Sequence, residues 1–413
     1  MRGEPAQPHR LALLLAALAM LGPFSVDTYL PAFPNIEATL QATSIEVQQS
    51  LTAYMFAFAF MMLWHGALSD AYGRRNVILV SLCVFAVASL GCAAAHSIEY
   101  LWAFRMLQGV SAGAGVVIGR AIIRDLYADH RATRLLSLVT MIFSIAPAIA
   151  PILGGWIVKY RNWRAIFLLL FAYTAGLLWY AYKQLPETLS PAQRRPFNPR
   201  VLATSYWQVF GSPLFQLKAG TLAFIFAGLF LYVAAAPVFL TRHLGLGPEQ
   251  FGWQFIPTVA GIFLGALTSN RIAGKIAVAR HVALGFSVLT GAGILNLAYH
   301  AWFPPALPWS VLPLFFYAFG MSIVAPVVTL LVIDLFPTMR GLVASCQSFT
   351  QTMLAAVTAG VLAPLLSHDV LWLGAGQLAC ALIALVLWVA GVSYHEAHER
   401  RARANAWESV PVE

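Results

Sequence analysis

Residues 11–34 read LALLLAALAMLGPFSVDTYLPAFP: sixteen uncharged residues, Leu11 to Val26, lead into a single carboxylate, Asp27. An α-helix crosses a bilayer core with roughly 20 apolar residues, so this run is sized for a membrane. The rest of the chain repeats the pattern. Of 413 residues, 60% are hydrophobic and 10% charged, and the mean hydropathy is +0.74, a balance that excludes a soluble globular domain. Uncharged stretches bounded by charge or by Pro and Gly clusters predict spans at 11–33, 47–69, 76–98, 100–123, 135–158, 165–182, 219–241, 250–270, 281–301, 309–333, 341–364 and 370–393. The ninth and tenth share one uncharged stretch, His281 to Ile333, broken by the WFPPALP turn at 302–308.

Charge then orients the spans. With the N-terminus in the cytoplasm, nineteen of the 25 Lys and Arg fall on the cytoplasmic side, four (Lys159, Arg161, Arg164, Arg242) fall outside, and Arg105 and Arg120 lie within spans. The positive-inside rule predicts a multi-pass protein with both termini cytoplasmic. The net charge of +9 is therefore topogenic, and no nucleic-acid partner is expected. Arg10 followed by LALLLAALAM, with Ala17-Leu18-Ala19, also has the form of a cleavable signal. Cleavage would leave eleven crossings and carry the basic cluster at Arg400–Arg403 outside, against the charge bias, so the segment is read as a retained span. Cys83, Cys92, Cys346 and Cys380 all lie in predicted spans at no metal-ligand spacing, and read as apolar packing residues.

Six spans precede the basic, Pro-containing stretch LPETLSPAQRRPFNPR and six follow it. The expected organisation is an N-terminal six-helix half (1–184), a cytoplasmic linker (185–212), a C-terminal six-helix half (213–393) and a cytoplasmic tail (394–413). Internal echoes support duplication. Asp125-Leu126-Tyr127 followed by Arg131 recurs as Asp334-Leu335-Phe336 followed by Arg340, and GALSDAYGRR (66–75) is echoed more weakly by GALTSNRIAGK (265–275). Two such halves imply a site between them near mid-membrane, opened alternately to each side.

GALSDAYGRR resembles the signature loop of the major facilitator superfamily, with Gly66, Leu68, Asp70, Gly73, Arg74 and Arg75 in register and Ala71 where many members carry a basic residue. LWAFRMLQGVSAG resembles the family's Arg-containing motif through Arg105, Gln108 and Gly109. SIAPAIAPILGGW is similar to the antiporter motif of drug:proton exchangers, with Pro147, Pro151, Gly154 and Gly155, and Ala150 where a Gly is usual. DTYLPAFP, GRAIIRDLY, WRAIF and LPETL resemble the bicyclomycin and chloramphenicol resistance (Bcr/CflA) branch. The resemblance implies an all-α membrane protein of twelve transmembrane helices in two pseudo-symmetric halves. It also implies a proton-coupled multidrug efflux transporter of the bacterial inner membrane, exporting small amphipathic antibiotics by alternating access. Its expected partners are drugs, protons and the lipid bilayer; it is driven by the proton gradient without cofactor or metal, and is expected to be a monomer.

Asp27 and Arg105 sit roughly 10 Å and 9 Å inside the same face at ~1.5 Å per residue. An isolated Asp at a helix centre costs about 3 kcal/mol, so a partner or a wet cavity is expected, and Asp27 with Arg105 is read as the proton-coupling pair. The alternative reading is a static polar clasp between helices. Arg120, the second intramembrane charge, either snorkels or lines an inner gate. The glycines of 66–75 are read as allowing a tight turn and close helix approach, with Asp70, Arg74 and Arg75 latching helix ends. Pro147, Pro151, Gly154 and Gly155 suit a kinked helix at the seam between halves, or ordinary small-residue packing. Tyr29, Tyr54, Met141 and Tyr232 are candidate substrate-lining residues. The competing function is import or facilitated uptake of a small metabolite, which would call for more polar cavity residues. An enzyme would need a nucleophile, paired carboxylates or a metal constellation, and the chain offers none at suitable spacing.

Overall fold

In lipid every backbone polar group must be satisfied within the protein, and uncharged runs of this length do so as helices. The computed structural model describes residues 8–408 except 128, 144 and 195; the side chains of 8, 9, 129–134, 137, 193 and 398–408 lie outside the description. Among the described residues twelve helical spans are long and apolar enough to cross a bilayer. Spans 1 to 6 are Arg10–Leu40, Ser44–Tyr72, Arg74–Ala93, Ile98–Leu126, Leu138–Tyr160 and Arg164–Gln184. Spans 7 to 12 are Pro213–His243, Pro248–Ile272, Val278–Trp302, Leu312–Ile333, Arg340–Leu366 and Val370–Ala397.

Local chemistry sets several of their ends. Thr43 and Glu46 form a reciprocal capping box that starts span 2, and the Ser212 hydroxyl accepts from the Phe215 amide to start span 7. Gly73 ends span 2 with φ +95°, and Gly274, just past span 8, has φ +73°, so both echoed loops turn on a glycine in the left-handed region.

Packing repeats across the two sets of six. Spans 2 and 4, 3 and 6, 3 and 4, and 1 and 5 pack together, and so do their counterparts 8 and 10, 9 and 12, 9 and 10, and 7 and 11. The seam between the sets is built mainly from span 2 on span 11 and span 5 on span 8, which are the same pair related by the two-fold. A helix, Pro199–Phe210, lies in the stretch read as a linker, capped by the Asn198 side chain. The stretch read as a cytoplasmic tail continues the last helix, which runs unbroken from Val370 to Glu408. Its sequence, HEAHERRARANAWE, is rich in Ala, Glu and Arg, which favour helix without needing lipid.

Candidate functional site

Arg105 is fully buried in span 4. Its guanidinium lies between the rings of Tyr29 and Tyr54, 4.6 and 4.3 Å from their centroids, with Phe167 at 5.9 Å. One terminal nitrogen, Nη1, donates to Ser25 Oγ (2.9 Å) and Gln108 Oε1 (2.9 Å), and Gln108 donates onward to Ser89. Among the described residues Nε and Nη2 have no hydrogen-bond partner. The cation is thus held by aromatic faces and one polar edge, with donor capacity left over.

Asp27 does not pair with it. Among the described residues no ion pair or hydrogen bond reaches the Asp27 carboxylate, which is 6% exposed. The reason is local. The helix of span 1 ends at Asp27 rather than continuing to Pro34, and the chain turns through a short 3-10 segment, Leu30–Ala32, before resuming at Phe33–Leu40. The two side chains do not meet directly, and Arg105 instead sits in a cage of Ser25, Tyr29, Tyr54 and Gln108.

The candidate lining residues need a second correction. Tyr29, Tyr54 and Tyr232 are at most 1% exposed, because each hydroxyl is engaged inside the fold: Tyr29 with Ser50 (2.6 Å), Tyr54 with the Gly22 carbonyl (3.2 Å), Tyr232 with Asn296 (2.8 Å). They line no open surface in this state. Met141 is 55% exposed on the first stretch of span 5.

The 66–75 loop ties four elements at one end of the bundle, here called the basic face. Arg74 pairs with Asp70 and with Asp125 of span 4 (3.2 Å), and donates to Ser69 Oγ (2.6 Å). The Glu187 carboxylate accepts from the Arg74 and Arg75 amides (3.0 and 3.3 Å), capping the first turn of span 3 where an anion is favoured. Arg75 donates to the Tyr182 carbonyl (2.8 Å) and stacks over its ring. The φ of +95° is what requires glycine at 73; an added Cβ would lie 2.4 Å from Glu187 Oε2, the end of a side chain that can shift. Gly66 is different: its Cβ would meet only Val117 at 3.8 Å, so close helix approach is not its role. Glu187 and Thr188, which bonds Asp125 at 2.8 Å, were legible only as the LPETL motif, without a partner. In the echo, Asp334 pairs with Arg340 at 3.1 Å; the side chain of Arg131 lies outside the described residues.

Span 5 consists of two helical stretches, Asp129–Phe143 and Ala146–Tyr160, and Pro147 sits in the first turn of the second. Its adjacent glycines face two different neighbours. A Cβ on Gly154 would lie 2.1 Å from the carbonyl of Thr28, the residue after Asp27, and one on Gly155 would lie 2.0 Å from the carbonyl of Pro248, in the other half. The antiporter-motif helix therefore presses on the Asp27 turn and on the seam together.

The opposite face is closed across the halves. Lys159 pairs with Glu249 (2.7 Å), Arg242 lies 3.6 Å from Glu37 and 3.2 Å from Ser44, and Gln48 and Gln49 each donate at 3.0 Å to the carbonyls of Ala359 and Gly360. Those carbonyls belong to a π turn, Thr358–Leu362, whose wider winding frees backbone acceptors for the glutamines. Two of the four basic residues on the sparse side are thus spent on cross-seam ion pairs, which counting charges alone did not reveal. At the basic face a cavity of about 630 Å³ separates the halves, lined by residues of spans 2, 4, 10 and 11 and by Tyr206 of the linker helix. Arg120 is among them.

The family model described as Major Facilitator Superfamily matches residues 15–234. The bicyclomycin resistance protein homolog of Haemophilus influenzae is 31% identical over 290 residues, 69% of this chain and 72% of that protein. Multidrug resistance protein D of Escherichia coli is 30% identical over 356 residues, 84% of this chain and 88% of its own length. Among solved structures, a bacterial homologue of the human lysosomal transporter Spinster, inward-facing and unoccupied, superposes with a TM-score of 0.67 at 15% identity, covering 95% of this chain and 99% of that one. That likeness concerns the fold.

Proposed function

The chain belongs to the major facilitator superfamily, and from that premise we propose that it is a proton-coupled multidrug efflux transporter exporting small amphipathic antibiotics by alternating access. It is a multi-pass membrane transporter, with relatives named for bicyclomycin and multidrug resistance. The observation that carries the proposal is the asymmetry of the seam: sealed by ion pairs and glutamine contacts at one face, parted by a cavity at the other. That is one of the two states alternating access requires. The distribution of basic residues supports placing the cavity face in the cytoplasm, so the state is inward-facing and ready to load.

Asp27 is the coupling carboxylate in this reading. It is buried, unpaired, and lies where the helix of span 1 ends, in contact through Thr28 with Gly154. Separation of Gly155 from Pro248 during outward opening would move span 5, and with it the turn beside Asp27. Arg105, in span 4, keeps unspent donors able to take a carboxylate that comes within reach. Export then follows from exchange: the proton leaves Asp27 to the cytoplasm as the drug loads from that side, and a new proton arrives from outside as the drug departs there.

The test is accumulation of chloramphenicol and bicyclomycin in pump-deficient bacteria expressing the chain, with and without a protonophore. Lower accumulation that vanishes with the protonophore is expected. Accumulation unchanged by expression for either drug would overturn the reading, and accumulation raised by expression would favour uptake.

A further inference from the structure

The cavity at the basic face holds more cationic charge than its ion pairs use. Each of the three carboxylates lining it is taken by an arginine: Asp70 and Asp125 by Arg74, and Asp334 by Arg340. Arg120 and Arg124 remain. Both line the cavity and are exposed to it, and among the described residues neither makes a hydrogen bond or an ion pair. They lie one turn apart on the helix Ala114–Leu126, hence on one face, where like charges repel. Arg120 is six residues, about 9 Å along the helix axis, from the end of its 29-residue span, one turn further in than Arg124. The same cavity also presents apolar side chains, Met62, Leu63, Val117, Leu330 and Ile333 among them.

Arg74 answers two carboxylates, so the four arginines of the lining exceed its three carboxylates by one charge, and the two unpaired guanidinium groups specify a complementary ligand. We propose that this cavity binds molecules joining an apolar body to an anionic group, a carboxylate or a phosphate, and that Arg120 receives that group with Arg124 supporting it from the mouth. The inference rests on the cavity being the loading site of the proposed exporter, and it narrows the substrate class: neutral compounds lose the charge contact, and cations are opposed. A guanidinium suits the role because its planar fork meets both oxygens of a carboxylate or phosphate. The anion could belong to a soluble compound or to a lipid headgroup entering from the adjacent leaflet.

Chloramphenicol and chloramphenicol succinate form a matched pair, neutral and anionic, around one apolar body. Their binding would be measured on the full-length protein in phosphatidylcholine nanodiscs, for the wild type, Arg120→Gln, Arg120→Lys and, on the opposite face, Arg164→Gln. The wild type is expected to prefer the succinate by about tenfold or more, the weight of one charge-assisted contact. The preference should vanish in R120Q, persist largely in R120K, and be untouched in R164Q. Equal affinities in the wild type, or a preference that survives R120Q, would overturn the proposal while leaving the export reading in place. Failure of both compounds to bind the wild type would instead count against the export reading, and this inference would fall with it. Repeating the series in phosphatidylglycerol nanodiscs identifies the occupant: loss of the succinate preference there means that a lipid headgroup fills the anion site, and its persistence means that the site takes soluble anions.

Discussion

Gly155→Ala is the sharpest structural probe of the two-state account. An added Cβ would lie 2.0 Å from the Pro248 carbonyl and 2.9 Å from the Glu249 Cα, both backbone atoms of the other half, so no side chain can rotate away. Relief requires the halves to separate at the face sealed by Lys159 and Glu249. Overpacking of this kind costs about 1–3 kcal/mol. The cost falls only on the state in which the two backbones touch, so the ratio of sealed to open protein should drop roughly 5- to 150-fold. Spin labels on Ile45→Cys and Trp253→Cys, two exposed positions at the sealed face in opposite halves, would report it in a Cys83→Ser background, since the other three cysteines are buried. The expected result is growth of a long-distance population. Gly176→Ala, where an added Cβ meets nothing within 4 Å, should match the wild type. A G155A distribution indistinguishable from wild type would refute the claim that span 5 against Pro248 holds this state.

Other consequences follow from the same contacts. Gly154→Ala presses on Thr28 within its own half, so it should lower thermal stability by about 1–3 kcal/mol without lengthening the label distances; a distance shift would place Gly154 at the seam instead. Arg105→Lys keeps the charge but loses the plane that lies between Tyr29 and Tyr54, and a loss of about 1–2 kcal/mol is expected in thermal or denaturant melts, whereas unchanged melts would show that stacking contributes little. Lys159→Glu sets two carboxylates across the seam, a small effect at a solvent-screened pair, which should favour the open population; adding Glu249→Lys should restore the sealed one if the pair acts as a latch.

The spans were readable because lipid imposes one solution on any long uncharged run, and hydropathy reports it directly. Gly73 was readable too, since a glycine before two arginines at a span end has few other uses. Side-chain azimuth was not. Counting residues from the span ends sets Asp27 and Arg105 at similar expected depths but leaves direction open, and the end of the helix at Asp27 together with the Tyr29 and Tyr54 rings bears on where each group points. The aromatic residues were misplaced for the same reason: a tyrosine that caps a buried arginine and one that faces a drug look alike in sequence. Cross-seam pairs such as Lys159 with Glu249, 90 residues apart, depend on how two halves dock, which no local pattern encodes. The last helix outran its apolar run because residues beyond 393 favour helix in water as well.

The central claim is that Asp27 carries the proton exchanged for drug. Purified protein in liposomes, with a pH-sensitive dye inside and an imposed proton gradient, tests it directly: chloramphenicol added to the wild type should move protons across the membrane, while Asp27→Asn, reconstituted to the same density, should still bind drug yet move none. Proton movement by the variant at the wild-type rate would contradict the account.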